Sequence, residues 1–226
     1  MRGPARQEPP QTMPYLIGMP PAGGPSTQFV PQIDRQLLAK LCLFDDVSDD
    51  DLAQVPRQIR LTLRGPGRVP AILGWEGGPF VVSARVRDLM QTLEPDTHRF
   101  LPIDVETMMP GRKSRPFRTY HLLLCPPRVD AVIIEKTEFS KGMGQAGYEA
   151  SCGFSFLKGT PLVLDQAAIA NRCFWRLPRQ FGVRPAYPHS GISGYFCSDE
   201  LWRALRAERL QGWEARRRCA TAPRPA

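Results

Sequence analysis

The chain has 226 residues, 42% of them hydrophobic and 23% charged, with 24 prolines and a formal net charge of +8. That length and balance allow a real core and exclude full-length disorder, and no apolar run reaches the roughly eighteen residues that a membrane-spanning helix needs. The basic excess is concentrated late, with twelve Lys/Arg against five Asp/Glu over residues 151–226, whereas Asp45, Asp46, Asp49, Asp50 and Asp51 form an early acidic cluster.

Residues 1–30 are rich in Pro, Gly and Gln and read as a disordered or loosely attached segment. Residues 1–11 carry arginines without an apolar run behind them, so no secretory signal is expected and the expected location is cytoplasmic. Met13 opens the apolar stretch 15–17 and is either the true start codon, in place of Met1, or the lead into a first strand. Residues 33–44, with Leu37, Leu38, Leu41 and Leu43, fit a short helix or strand. Ser48 followed by three aspartates marks a helix start that Pro56 limits. Ile59, Leu61 and Leu63 alternate with polar residues, which predicts a half-buried strand over 57–64. After the turn Gly65-Pro66-Gly67, strands are expected over 69–75 and 80–82.

Ser83 then caps a helix from 84 to about 93, with Val86, Leu89, Met90 and Leu93 on one face, and Pro95 stops it. A strand is expected over 100–105, a basic loop over 110–118 and a strand over 120–125 that Pro126-Pro127 ends. The β-branched run 131–134 predicts a central strand. Five glycines over 142–159 make that stretch irregular. Short strands follow at 162–164 and 173–175, then a proline-bearing loop over 179–193, a strand at 195–197 and a final helix capped by Ser198 with Asp199 and Glu200 in its first turn. Leu201, Trp202, Leu205 and Leu210 give its buried side, Gly212 ends it, and Trp213 opens a last short strand. Residues 216–226 read as an unstructured tail. Strands and helices do not alternate regularly. The expected fold is α+β, a mainly antiparallel sheet with two or three short helices packed on it, in one domain over 31–215.

Few motifs carry chemistry. Residues 142–147 match G-x-G-x-x-G, but they do not follow a strand directly, and Gly153, Gly159 and Pro161 prevent a long helix after them, so a loop is favoured over a dinucleotide site. Residues 190–194 lack the spacing of a nucleophile elbow, because Gly194 follows Ser193 directly. The histidines are His98, His121 and His189, and nothing in the sequence brings His189 to Cys152 as a nucleophile pair would require. C-x-x-C and H-x-x-x-H are absent, which disfavours zinc. Asp104 and Glu106 share one face of a predicted strand and read as solvent-facing rather than as an acid–base pair. Cys42, Cys125, Cys173 and Cys197 sit among large apolar residues as core thiols do. No cofactor, metal or catalytic residue is therefore expected.

What remains is arginine mixed with aromatics. Arg112 and Arg115 lie beside Phe117, and Arg176, Arg179 and Arg184 lie near Phe174, Trp175 and Phe181. The mixture suits single-stranded nucleic acid, where rings stack on bases, and it suits a protein interface, where Trp, Tyr and Arg anchor contacts. No recognised nucleic-acid motif accompanies the charge, so the interface is favoured, with Arg112, Arg115, Arg176, Arg179, Trp175 and Tyr187 as its expected contacts. A nucleic-acid-binding regulator using the basic half is the alternative reading.

Three stretches carry a resemblance: residues 83–90 leading to 100–103; 129–131 followed by 156–165; and 195–205 ending in 210–213. Their order over 80–215 resembles the bacterial immunity protein family eleven, once a family of unknown function. The resemblance implies a protein that neutralises a cognate toxin of a polymorphic or contact-dependent secretion system in interbacterial competition. It supplies no catalytic residue to carry over. Immunity proteins against nucleases often present an acidic face to a basic toxin. This chain is basic overall, so either the 45–51 acids form a local patch, the toxin is not a nuclease, or contact falls outside its catalytic cleft.

Overall fold

A computed structural model of the protein describes residues 13–18, 26–29, 34, 36–37, 40–41, 47–64, 70–73, 80–108, 115–137, 162–177 and 195–225. The fold is α+β and mainly antiparallel. Its strands are β1 (Tyr15–Gly18), β2 (Ser26–Phe29), β3 (Gln58–Arg64), β4 (Ile72–Leu73), β5 (Phe80–Ser83), β6 (Arg99–Met108), β7 (Arg115–Leu124), β8 (Val163–Asp165), β9 (Phe174–Arg176), β10 (Tyr195–Cys197), β11 (Glu214–Arg218) and β12 (Ala220–Ala222). Its named helices are α1 (Asp49–Ala53), α2 (Ala84–Leu93) and α3 (Asp199–Ala207), and residues 36–37 and 40–41 are helical as well.

A six-stranded sheet runs β2-β3-β6-β7-β5-β4, a four-stranded sheet runs β11-β1-β10-β9, and β12 pairs with β8. All named ladders are antiparallel except β3–β6 and β8–β12. Parallel neighbours need a crossover, and the chain from β3 to β6 supplies it through β4, β5 and α2. Pro102 is tolerated within β6 because the register with β3 begins only at Asp104, so no partner on that edge asks for the missing N–H.

The strands buried on both faces are the ones written as unbroken apolar runs. In β5, Val81 points to one core cluster while Phe80 and Val82 point to another. In β7, Leu122 and Leu124 face the first and Leu123 the second. The second cluster is shared. It takes Val86 and Met90 from α2, Leu201 and Leu205 from α3, and Ile17, Phe174 and Cys197 from the four-stranded sheet. That smaller sheet buries Leu16, Trp175 and Phe196 on its opposite face, under Leu162, Leu164 and Ile169. The two sheets thus enclose a middle layer that holds both long helices. Rings fill it: Trp213 stacks on Phe174 with centroids 4.8 Å apart, and Phe80 meets both edge-on.

Caps set the helix ends where the sequence places them. Ser83 accepts from the Val86 N–H, and Ser198 accepts from the Leu201 N–H at 3.0 Å. Ser48 and Asp51 form a reciprocal capping box, and Asp51 also pairs with Lys40 at 2.6 Å.

Three expectations are corrected. The run 131–134 is not a central strand: Val132 makes one isolated bridge to Leu164, and a 3-10 turn follows at Ile134–Lys136. Ala131, Val132 and Ile133 are buried there as a crossing segment. The tail after 216 is not unstructured, since β11 and β12 occupy 214–218 and 220–222. Likewise, β1 and β2 fall within 1–30, and β1 is interior to its sheet. The irregular stretch 142–159 and the loop 179–193 lie outside the described residues.

Candidate functional site

The expected contact residues separate on inspection. Trp175 is fully buried and stacks on Phe196 with centroids 5.6 Å apart. Arg176 is 5% exposed, and its Nε donates to the Pro126 carbonyl at 3.0 Å. Its main chain closes two more bonds, to Pro127 and Val129. Both are corrections: β9 is buried on both faces, so Trp175 belongs to the core and Arg176 fastens the 126–129 segment to the strand. Arg115 opens β7, and its side chain lies outside the described atoms. Arg112, Arg179 and Tyr187 lie outside the described residues, as do Cys152, His189 and both glycine motifs.

The acid pair behaves as a half-buried strand face. Asp104 accepts from the Thr119 hydroxyl at 3.1 Å across the β6–β7 ladder. Of the early acids, Asp49 meets Arg99 at 2.6 Å, so part of that patch is already neutralised within the chain.

A grouping the sequence reading missed lies where α2, β6, β9 and α3 converge. Glu94 closes α2, its N–H donating to the Met90 carbonyl at 2.9 Å. Pro95 stops the helix, Asp96 takes a left-handed φ of 57°, and the turn brings His98 back beside Glu94. Cys173 precedes β9, and its carbonyl accepts from Ser198, the cap of α3, at 2.9 Å. His98 Nε2 lies 3.2 Å from Glu94 Oε2 and 3.2 Å from Cys173 Sγ. Glu94 Oε2 accepts from the Cys173 N–H at 2.8 Å, and Oε1 accepts from Arg172 Nη1 at 2.6 Å. Glu94, His98 and Cys173 are all buried. A cavity of about 240 Å³ reaches Cys173 alone of the three, and Leu93, Arg172, Trp175 and Arg203 line it as well.

Cysteine, histidine and carboxylate at bonding distance suggest a nucleophile relay, but the connectivity differs. Such a relay spans the ring, one nitrogen to the thiol and the other to the acid. Here both contacts converge on Nε2, and Nδ1 has no partner among the described residues. Burial and the adjacent Glu94 charge push the Cys173 thiol well above its usual range, so it is held as S–H. Burial opposes the charge on Glu94, yet the hydrogen bonds from His98, Arg172 and the Cys173 N–H outweigh it and bring its pKa down to about 2. The grouping therefore presents a firm carboxylate and an unactivated thiol. Short-range sequence signals do not reveal it, because Cys173 stands far from Glu94 in the chain; the available hint is Glu94 and His98 four apart across a helix stop.

Of the remaining cysteines described, Cys125 is half-buried against the first core cluster and the other two are core thiols. Cys197 and Cys219 are buried, and burial raises the Cys219 pKa to about 12. No helix among the described residues is long and apolar enough to cross a membrane. The sequence pattern of the immunity protein family (Imm11) matches residues 15–218. No curated protein matches the chain.

Proposed function

The chain belongs to the immunity protein family (Imm11), and on that premise we propose that it binds a cognate secreted toxin and neutralises it as a non-catalytic, stoichiometric inhibitor. The observation that carries the reading is the family match over nearly the whole chain. The toxin belongs to a polymorphic system used in interbacterial competition, and the protein acts in the cytoplasm of the bacterium that makes it. Blocking the toxin's active site or its substrate path suffices, and no reaction centre is needed for that.

The Cys–His–carboxylate grouping supports this reading, since its thiol is buried and unactivated. Arg112, Arg115, Arg179 and Tyr187 are the contacts we propose; Trp175 and Arg176 are not among them, because both are buried within the chain. Exposed Arg206 and Arg209 at the end of α3, with Arg216 and Arg218 on the edge strand β11, add positive charge that complements an acidic toxin surface.

The test is co-expression with the toxin encoded beside this gene. Cells survive, and the purified pair elutes as an equimolar complex. Cell death despite folded protein overturns the proposal. So does protection at far less than one inhibitor per toxin, which would reveal turnover.

A further inference from the structure

From the Glu94–His98–Cys173 grouping we infer that the protein holds one zinc ion, bound by a Glu94 carboxylate oxygen, His98 Nε2 and Cys173 Sγ, as a structural pin between the end of α2 and the start of β9.

The donor atoms all lie within 4.8 Å of one another. Zinc takes nitrogen and oxygen at about 2.0–2.2 Å and sulfur at about 2.3 Å in tetrahedral array. Ligands on such an ion stand roughly 3.3–3.6 Å apart. The 3.2 Å separations of Nε2 from both Oε2 and Sγ match that spacing with little movement. One nitrogen facing a thiol and a carboxylate together is poor geometry for a relay and good geometry for a common central ion.

Charge favours a divalent ion, and the donor atoms decide which one. A Glu94 carboxylate and a Cys173 thiolate balance a divalent ion while His98 stays neutral, so the buried site carries no net charge at its centre. On binding, the Cys173 S–H bond breaks as the S–Zn bond forms, and the proton leaves to solvent. Sulfur and nitrogen donors select zinc over magnesium or calcium, which prefer oxygen alone. Arg172 and the Cys173 N–H hold the carboxylate from outside, as supporting hydrogen bonds do around ligating acids.

The spacing also satisfies the rule that a metal site draws two ligands from one short segment. Glu94 and His98 are that pair, joined by a turn instead of by C-x-x-C or H-x-x-x-H. This inference does not depend on toxin binding.

The full chain is stripped with chelator and titrated with Zn2+ alone, then with Co2+ as a spectroscopic probe. One zinc per chain is expected by elemental analysis, with a rise in Tm. Cobalt should give a thiolate charge-transfer band in the near ultraviolet, which Zn2+ abolishes. Cys173→Ser and His98→Gln lose the band, while Cys219→Ser keeps it. The unsubstituted chain decides the matter if variants fold poorly: no retained zinc and no cobalt band overturn the inference. A band that survives in folded Cys173→Ser overturns it as well.

Discussion

Arg87 on α2 donates from Nη1 to Nε2 of His121 on β7, 2.7 Å away. The bond requires an unprotonated Nε2, so the strand histidine is read neutral. Burial, and then the Arg87 charge, lower the His121 pKa below its ordinary 6.5, with Asp88 opposing in part. The unfolded chain therefore takes up the proton more readily than the folded one. The contribution to stability is complete above pH 6.5 and declines as pH falls through 6.5 toward the folded value. Urea midpoints should drop between pH 7.5 and 5.5, and the drop should shrink in His121→Gln. Equal slopes in the two proteins would refute the assignment.

Trp175→Ala should destabilise by about 3–5 kcal/mol, the range for emptying a large aromatic site in a packed core. The loss is read from denaturant unfolding. At temperatures where the variant stays folded, its affinity for the toxin should match that of the unsubstituted chain. A large affinity loss in folded protein would return Trp175 to the interface.

Glu94→Ala leaves the Cys173 N–H, buried beside β9, without its acceptor and Arg172 without its carboxylate. We expect a loss of about 2–3 kcal/mol in metal-free buffer, where only the hydrogen bonds contribute. Chelator-treated unfolding curves check this, and an unchanged midpoint would contradict the role of Glu94 as a staple.

Gly212 stands at φ 135°, and a Cβ there would lie 2.0 Å from the Ile72 carbonyl oxygen. The close approach is fixed by the Ile72 N–H donating to Gln211 at 3.0 Å. Gly212→Ala should cost roughly 1–3 kcal/mol, combining left-handed backbone strain with displacement of β4. Thermal unfolding measures it, and a neutral substitution would mean that this crossing is loose.

Ser83→Ala and Ser198→Ala should each cost about 1 kcal/mol through lost N-caps. These two caps are also where the sequence was most legible. A serine, an apolar stripe at helical spacing and a terminating residue are all local signals, and α2 spans the residues they indicate. Strands written as unbroken apolar runs, such as Phe80-Val81-Val82, were legible for the same reason. The run at 131–134 misled because a buried crossing segment has the same composition as a central strand. A short strand opening at Trp213 was legible, but its continuation past 216 and β12 were hidden because arginines on an edge strand look like a solvated tail. The Glu94–His98–Cys173 grouping was least legible, since a tertiary turn and a distant strand create it.

The central place of β1 has a consequence for how the molecule comes into being. Tyr15 pairs with Cys197 on one side and with Arg218 on the other, about two hundred positions away. The early strand must wait for nearly the whole polypeptide to leave the ribosome before either neighbour arrives. Such distant closure slows folding, and a nascent chain carries β1 as an open template in the interval. Clipping 214–222 from the mature molecule would bare that template again, so proteolysis at this end should provoke aggregation well before the larger sheet is touched.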